Sequence, residues 1–175
     1  TESMRYNFLI YCLNTTLDTM VPSFAVVIID ASGIGPYLSV GGGCGIRPER
    51  ALRKALEEAW STYFRLRAFY KKAGRNAYRL DTLNLEQRLL FWADPKNAGK
   101  AAFLIAGKPE KFSDVPFEFP LNFSSEKEEL EYLIQTIEAL GKGYEVYAFT
   151  KEHPVLTKIG YFVSKVIVPQ FVQLY

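Results

Sequence analysis

Apolar residues change their spacing along the chain, and each change marks an element. From Tyr6 to Leu13 they form a nearly continuous run, the pattern of a buried strand. A polar turn over Asn14 to Thr19 follows. Pro22 then starts Ser23–Asp30, whose β-branched and aromatic residues make the clearest strand of the chain. Ala31-Ser32-Gly33 turns it, and Tyr37–Val40 predicts a short return strand entering a glycine-rich turn, Gly41-Gly42-Gly43-Cys44-Gly45. Here the period becomes helical. Leu52, Ala55, Leu56, Ala59, Tyr63 and Leu66 recur at i, i+3, i+4 and i+7, with Pro48 suited to the first turn and Gly74 to the stop.

The second half alternates helices and strands. A second helix is expected over Leu85–Trp92. Asp94-Pro95 pairs an N-cap with a proline at the first helical position, which starts a third helix ending near Ala106. Lys108–Phe123 holds Pro109, Pro116 and Pro120 and reads as a mobile loop. Ser125-x-x-Glu128 is a capping box opening a fourth helix, with Leu130, Leu133, Ile134, Ile137 and Leu140 on one face and Gly141 at its end. Tyr144–Phe149 alternates like a half-buried strand, a turn passes through Pro154, and Tyr161–Val168 is the last strand, ended by Pro169. Strands, then helices, then strands predict an α+β fold: one mixed, mostly antiparallel sheet covered by helices. The length of 175 residues suits a single domain over residues 1–175.

Composition narrows the function more by exclusion than by indication. A 49% hydrophobic and 23% charged chain is ordinary for a globular protein, and a net charge of +2 does not point to nucleic acid. Arg65, Arg67, Lys71, Lys72, Arg75 and Arg79 nevertheless cluster without an intervening acid, as a solvated helix end or a dock for an acidic partner. Cys12 and Cys44 are the only cysteines and His153 the only histidine, so no zinc site of usual spacing and no disulfide framework is expected. A reducing cytoplasm is the default. No apolar run reaches the roughly 18 residues of a membrane span. The chain opens Thr1-Glu2-Ser3 and closes on the apolar Phe171–Tyr175, which reads as a piece of a longer protein.

Candidate chemistry lies on the long helix. Glycines before a helix N-terminus expose backbone N–H groups to an anion, or simply supply a turn needing positive φ. Further along, Glu58 falls off the core face, among Ala51, Lys54, Ala55, Thr62 and Arg65, with Ser61 one step round. Small residues beside a carboxylate leave room for a ligand.

Several segments together resemble the YcaO family and, within it, the azoline-forming cyclodehydratases. Leu13-Asn14-Thr15-Thr16-Leu17-Asp18 before Val21-Pro22 looks like that family's Thr-Thr-Asp turn. Gly43–Ala59 is similar to its helix entry, and Leu90–Ala98 to its "Tyr-Ala-Asp-Pro-Glu-Asn" segment. Gly143–Tyr147 and Val163–Pro169 resemble its closing strands. The matches run in order over nearly the whole chain, and correspond to the C-terminal half of the family's catalytic core.

The resemblance implies ATP and Mg²⁺ as cofactors, a precursor peptide as substrate, and a partner subunit or domain that binds its leader. It implies no nucleic acid and no membrane, and is compatible with a homodimer. Glu58 would be a metal and nucleotide carboxylate, and Ser61 and Lys165 would line the nucleotide. The product would be a thiazoline or oxazoline in a bacteriocin-type peptide. Departures bear on activity: Ser61 stands for a Gln, Lys165 for an Arg with its bidentate fork, Gly45 for a His, and Gln170 for a Gly. The alternative is a degenerate, non-catalytic member that binds a peptide or partner protein. In either case this chain alone is not expected to turn over ATP.

Overall fold

The computed structural model describes residues 7–73, 84–117 and 122–171. Gly74, Arg75 and Arg79 lie outside them. The chain divides into two compact units, Thr1–Leu121 and Asn122–Tyr175.

In the first unit three strands form an antiparallel sheet in the order β1 (Phe8–Asn14), β2 (Ser23–Asp30), β3 (Leu38–Cys44). Side chains alternate between its faces. One face of β2 presents Phe24, Val26 and Ile28 to Ala51, Ala55 and Ala59 of helix α1 (Pro48–Ala73). The other presents Val27 and Ile29 to Ala101, with Leu104 and Ile105 packed beside them. Both faces of β2 are therefore dry, which explains its unbroken apolar sequence. Helix α2 (Leu85–Ala93) starts at Asn84, whose side chain accepts from the Gln87 N–H. It packs Leu90 and Ala93 against Leu66 of α1.

The largest departure from the sequence reading concerns the glycines. Gly41, Gly42 and Gly43 are not a turn: β3 runs straight through them, pairing Gly41 with Val26, Gly42 with Ala25 and Gly43 with Phe24, and Gly45 alone lies past the strand. Their cause is the helix on top. A Cβ at Gly41 would lie 2.2 Å from the Ala59 nitrogen and 2.4 Å from the Ala55 oxygen; one at Gly43 would lie 2.2 Å from the Ala51 oxygen. Missing side chains on β3 and alanines on α1 let the two backbones meet. Ala51 and Ala55, expected to leave room beside Glu58, are buried on this contact, and Thr62 is buried too. That room is filled by β3, and the anion-cradle reading of the glycines fails with it.

Two further segments differ from expectation. The third helix is a 3-10 helix, Pro95–Ile105; the Asp94 side chain accepts from the Lys96 N–H as predicted for its cap. In the described part of the proline-rich loop, Phe112 and Phe117 pack on Phe24 at 5.9 and 5.8 Å between ring centroids.

Asp30 and Tyr63 tie the end of β2 to α1. The Tyr63 hydroxyl donates to Asp30 Oδ2 at 2.7 Å in a buried setting, and a Cβ at Gly35 would fall within 2.6 Å of both. Burial pushes the Asp30 carboxyl up. Hydrogen bonds from Ser32 and Tyr63, with the charge of Arg67, outweigh it and hold the carboxyl below its ordinary value. Burial, then the bond to Asp30 and its charge, push the Tyr63 hydroxyl up to about 12 against the pull of Arg67.

In the second unit helix α3 (Glu126–Glu138) is capped by Ser125, which accepts from the Glu128 N–H. The Glu128 carboxylate reaches Ser124, one residue earlier than a standard capping box, accepting from its N–H and hydroxyl at 2.6 Å. Strands β4 (Tyr147–Lys151) and β5 (Val163–Ile167) pair antiparallel. Between them Pro154 starts a short helix α4 (Pro154–Lys158) instead of a simple turn. His153 caps it, its Nδ1 accepting from Val155 and Leu156. The only histidine thus serves as a helix cap.

Two stability predictions follow from these contacts. Gly41→Ala and Gly43→Ala force backbone apart from backbone, so each is expected to destabilise the protein by about 1–3 kcal/mol or more in urea unfolding. A change within about 0.5 kcal/mol would mean that the close approach is unimportant. For Asp30, a folded pKa below the unfolded one stabilises the fold above the unfolded value, near 3.8, and that contribution is lost as pH falls through the folded value. Tyr63→Phe removes one donor to the carboxylate. It should cost about 1–3 kcal/mol at neutral pH and weaken the acid dependence of unfolding; an unchanged acid limb contradicts the assignment.

Candidate nucleotide and metal site

Helix α1 crosses β3 at an edge of the sheet, where alternate backbone groups have no strand to pair with. In an antiparallel ladder the N–H groups of successive residues point to opposite sides. The N–H of Gly42 faces outward and donates to Glu58 Oε2 at 2.6 Å. This is a short, charge-assisted bond. It needs α1 close to β3, which the bare Gly41 and Gly43 permit. Gly42 itself has space, since a Cβ there would lie 3.8 Å from Glu58 Oε2.

Glu58 is exposed, and its other oxygen, Oε1, has no hydrogen-bond or ion-pair partner among the described residues. The carboxylate is held at one oxygen and open at the other. Ser61 is exposed on the same helix. Lys165 belongs to the second unit, exposed on β5 directly across from Phe149. The structure therefore places Glu58 and Ser61 on one element and Lys165 in a separate unit.

Among the described residues no group of three His, Cys, Asp or Glu residues converges on a point. One free carboxylate oxygen is nevertheless the ligand type Mg²⁺ takes, because that ion is commonly held by one or two carboxylates with waters and substrate phosphates. Glu58 fits such a role as a single contributor.

Other sequence candidates resolve differently. Of the basic cluster, the described members Arg65, Arg67, Lys71 and Lys72 are exposed, and Arg67 acts on Asp30 and Tyr63 through its charge. Cys12 and Cys44 are free thiols, and burial pushes the Cys12 thiol up. On the sheet face away from α1, Val27, Ile29, Tyr37, Leu38, Ala98, Ala101 and Ile105 line an apolar cleft of about 240 Å³. It lacks the charged groups that phosphates need. Sequence reasoning missed the Gly42 N–H, a backbone group that no side-chain pattern reports. No helix among the described residues is long and apolar enough to cross a membrane.

A small antiparallel sheet, a long helix laid against its glycine strand and an outward carboxylate at that edge give the first unit an α+β fold. The chain belongs to the YcaO cyclodehydratase family, described as ATP- and Mg²⁺-binding, whose model matches residues 2–172. Among solved structures it is similar to a heterocyclase in complex with substrate and cofactor, at 20% identity and a TM-score of 0.68. It is also similar to the heterocyclase TruD, at 22% identity and 0.54, and to the E. coli microcin synthetase McbBCD complex, at 18% and 0.57. These likenesses are of fold. The chain is covered to 96%, 96% and 97%, but spans only 20%, 20% and 41% of those chains. No curated protein matches it.

Proposed function

We propose that this chain is the C-terminal part of an ATP- and Mg²⁺-dependent peptide cyclodehydratase. The family match over residues 2–172 carries the reading, and the half-free Glu58 carboxylate supports it at the level of residues. In the proposed reaction a Cys, Ser or Thr side chain of a precursor peptide attacks the carbonyl carbon of the preceding amide. The nucleophile would lose its proton, the amide oxygen would take the γ-phosphoryl group with ADP as leaving group, and phosphate and the amide N–H proton would then depart, leaving the C=N bond of a thiazoline or oxazoline. ATP-Mg²⁺, when bound, would supply the phosphoryl group and the counter-charge for its transfer.

The chain's own residues would bind and position. Glu58 Oε1 would be a ligand to the metal, with Oε2 kept on the Gly42 N–H. Ser61 would offer a short hydroxyl beside the nucleotide. Lys165 would bring a point charge to its phosphates, with three donors in place of the planar fork of an arginine. Phosphoryl transfer depends chiefly on such positioning and charge stabilisation, and the remaining carboxylates would come from outside this chain. A precursor peptide is the proposed substrate. A leader-binding subunit or domain is the proposed partner, in keeping with the assembly of the similar microcin synthetase as a complex.

A second reading rests on the two replacements: Ser61 reaches less far than a glutamine and Lys165 lacks the bidentate fork. On it the protein binds peptide or partner without chemistry, and the full-length protein releases no phosphate with any precursor peptide. For the leading reading, calorimetric titration of ATP-Mg²⁺ onto the full-length protein should show binding that Glu58→Ala weakens at least tenfold. Undiminished affinity in that variant removes Glu58 from the site.

A further inference from the structure

Glu58 has a fixed partner as well as a free oxygen, and the partner is a main-chain group. Three observations meet there. The Gly42 N–H points away from β2 and donates to Oε2 at 2.6 Å. Gly42 lies between Gly41 and Gly43, whose missing side chains set the distance from β3 to α1. Oε1 has no partner among the described residues.

We infer that Gly42 is a positioning residue: its backbone N–H orients the Glu58 carboxylate and leaves a single oxygen, Oε1, to bind a divalent metal carried by a nucleotide. The metal part of this inference rests on the function proposed above; the hydrogen bond does not. A glutamate on a helix flank has three side-chain torsions and sweeps a wide arc in solvent. Anchoring one oxygen to a main-chain donor removes most of that freedom. It also opposes bidentate chelation, because Oε2 is already committed. Mg²⁺ demands near-ideal octahedral geometry, which suits a one-oxygen ligand of fixed direction. Carboxylate ligands held by such partners commonly lose about 10- to 100-fold in metal affinity when the partner is removed.

Two measurements test this, and they separate its failure from that of the proposed function. The first is amide hydrogen exchange of the full chain, read residue by residue. With Glu58 in place the outward Gly42 N–H should be protected. In Glu58→Ala it should exchange at least tenfold faster, while the inward N–H groups of Gly41 and Gly43 keep their protection. Glu58→Gln retains an acceptor oxygen and should restore most of the protection. Unchanged exchange at Gly42 in Glu58→Ala overturns the inference.

The second measurement is calorimetric titration of ATP-Mg²⁺ onto full-length Gly42→Pro. Proline removes this one donor, and an edge strand tolerates it where the N–H faces outward. Affinity should fall about 10- to 100-fold with the far-ultraviolet dichroism intact. Unchanged affinity in Gly42→Pro, when Glu58→Ala has weakened binding, overturns the positioning role and leaves the proposed function standing. Unchanged affinity in both variants overturns both. Should Gly42→Pro not fold, the exchange measurement still decides.

Discussion

Everything in the first unit depends on how close helix α1 comes to strand β3. The contact is backbone on backbone: added carbons at Gly41 and Gly43 would lie 2.2 Å from main-chain atoms of α1. Ala51, Ala55 and Ala59 make the matching face of the helix, and all are buried. Small residues on both partners bring main chains together, in a packing layer where each added methylene is felt. The same approach lets Phe24, Val26 and Ile28 close the core beneath the helix. It also puts a carboxylate on the helix flank within reach of a strand-edge N–H. Core packing and the Gly42–Glu58 hydrogen bond are thus set by one distance.

The electrostatics of the unit divide along the helix. Toward its C-terminal half Tyr63 and Arg67 act on Asp30, a buried carboxylate whose satisfied oxygens serve stability. Nearer the N-terminus Glu58 is exposed and only half engaged. The contrast separates a structural acid from a candidate ligand without reference to any relative. The family is described as ATP- and Mg²⁺-binding, and the function proposed above gives the half-engaged carboxylate a part in that binding. Lys165, in the second unit, lies on a two-stranded ribbon whose described residues are all exposed.

Much of this was legible in the sequence, and the failures have physical reasons. Strand β2, helix α1, the Asn84–Ala93 region, the Ser125 cap and the closing strand pair follow from hydrophobic period and capping chemistry, with shifts of a few residues at the ends. The α+β class and the family both stand. The glycines were misread because glycine has two uses that look alike in sequence: positive φ in a turn, and close approach in a strand. Only the alanines at four-residue spacing on α1 hint at the second, and two of them, Ala51 and Ala55, read in the sequence as open space beside Glu58. Pro154 marked the start of a helix that a five-residue span and a histidine cap made hard to see. Glu58 is singled out in the sequence by its flank, and that argument does not hold in the structure, where Ala51 and Ala55 are buried. The small residues near it face β3, and what distinguishes the carboxylate is a backbone hydrogen bond that no residue pattern encodes.

The most direct test of the central claim is a crystal structure of the full-length protein with a non-hydrolysable ATP analogue and Mg²⁺. The account predicts Glu58 Oε1 at about 2.0–2.1 Å from the metal, with Oε2 still accepting from the Gly42 N–H. A metal held without Glu58, or by both of its oxygens with the Gly42 bond broken, would contradict it.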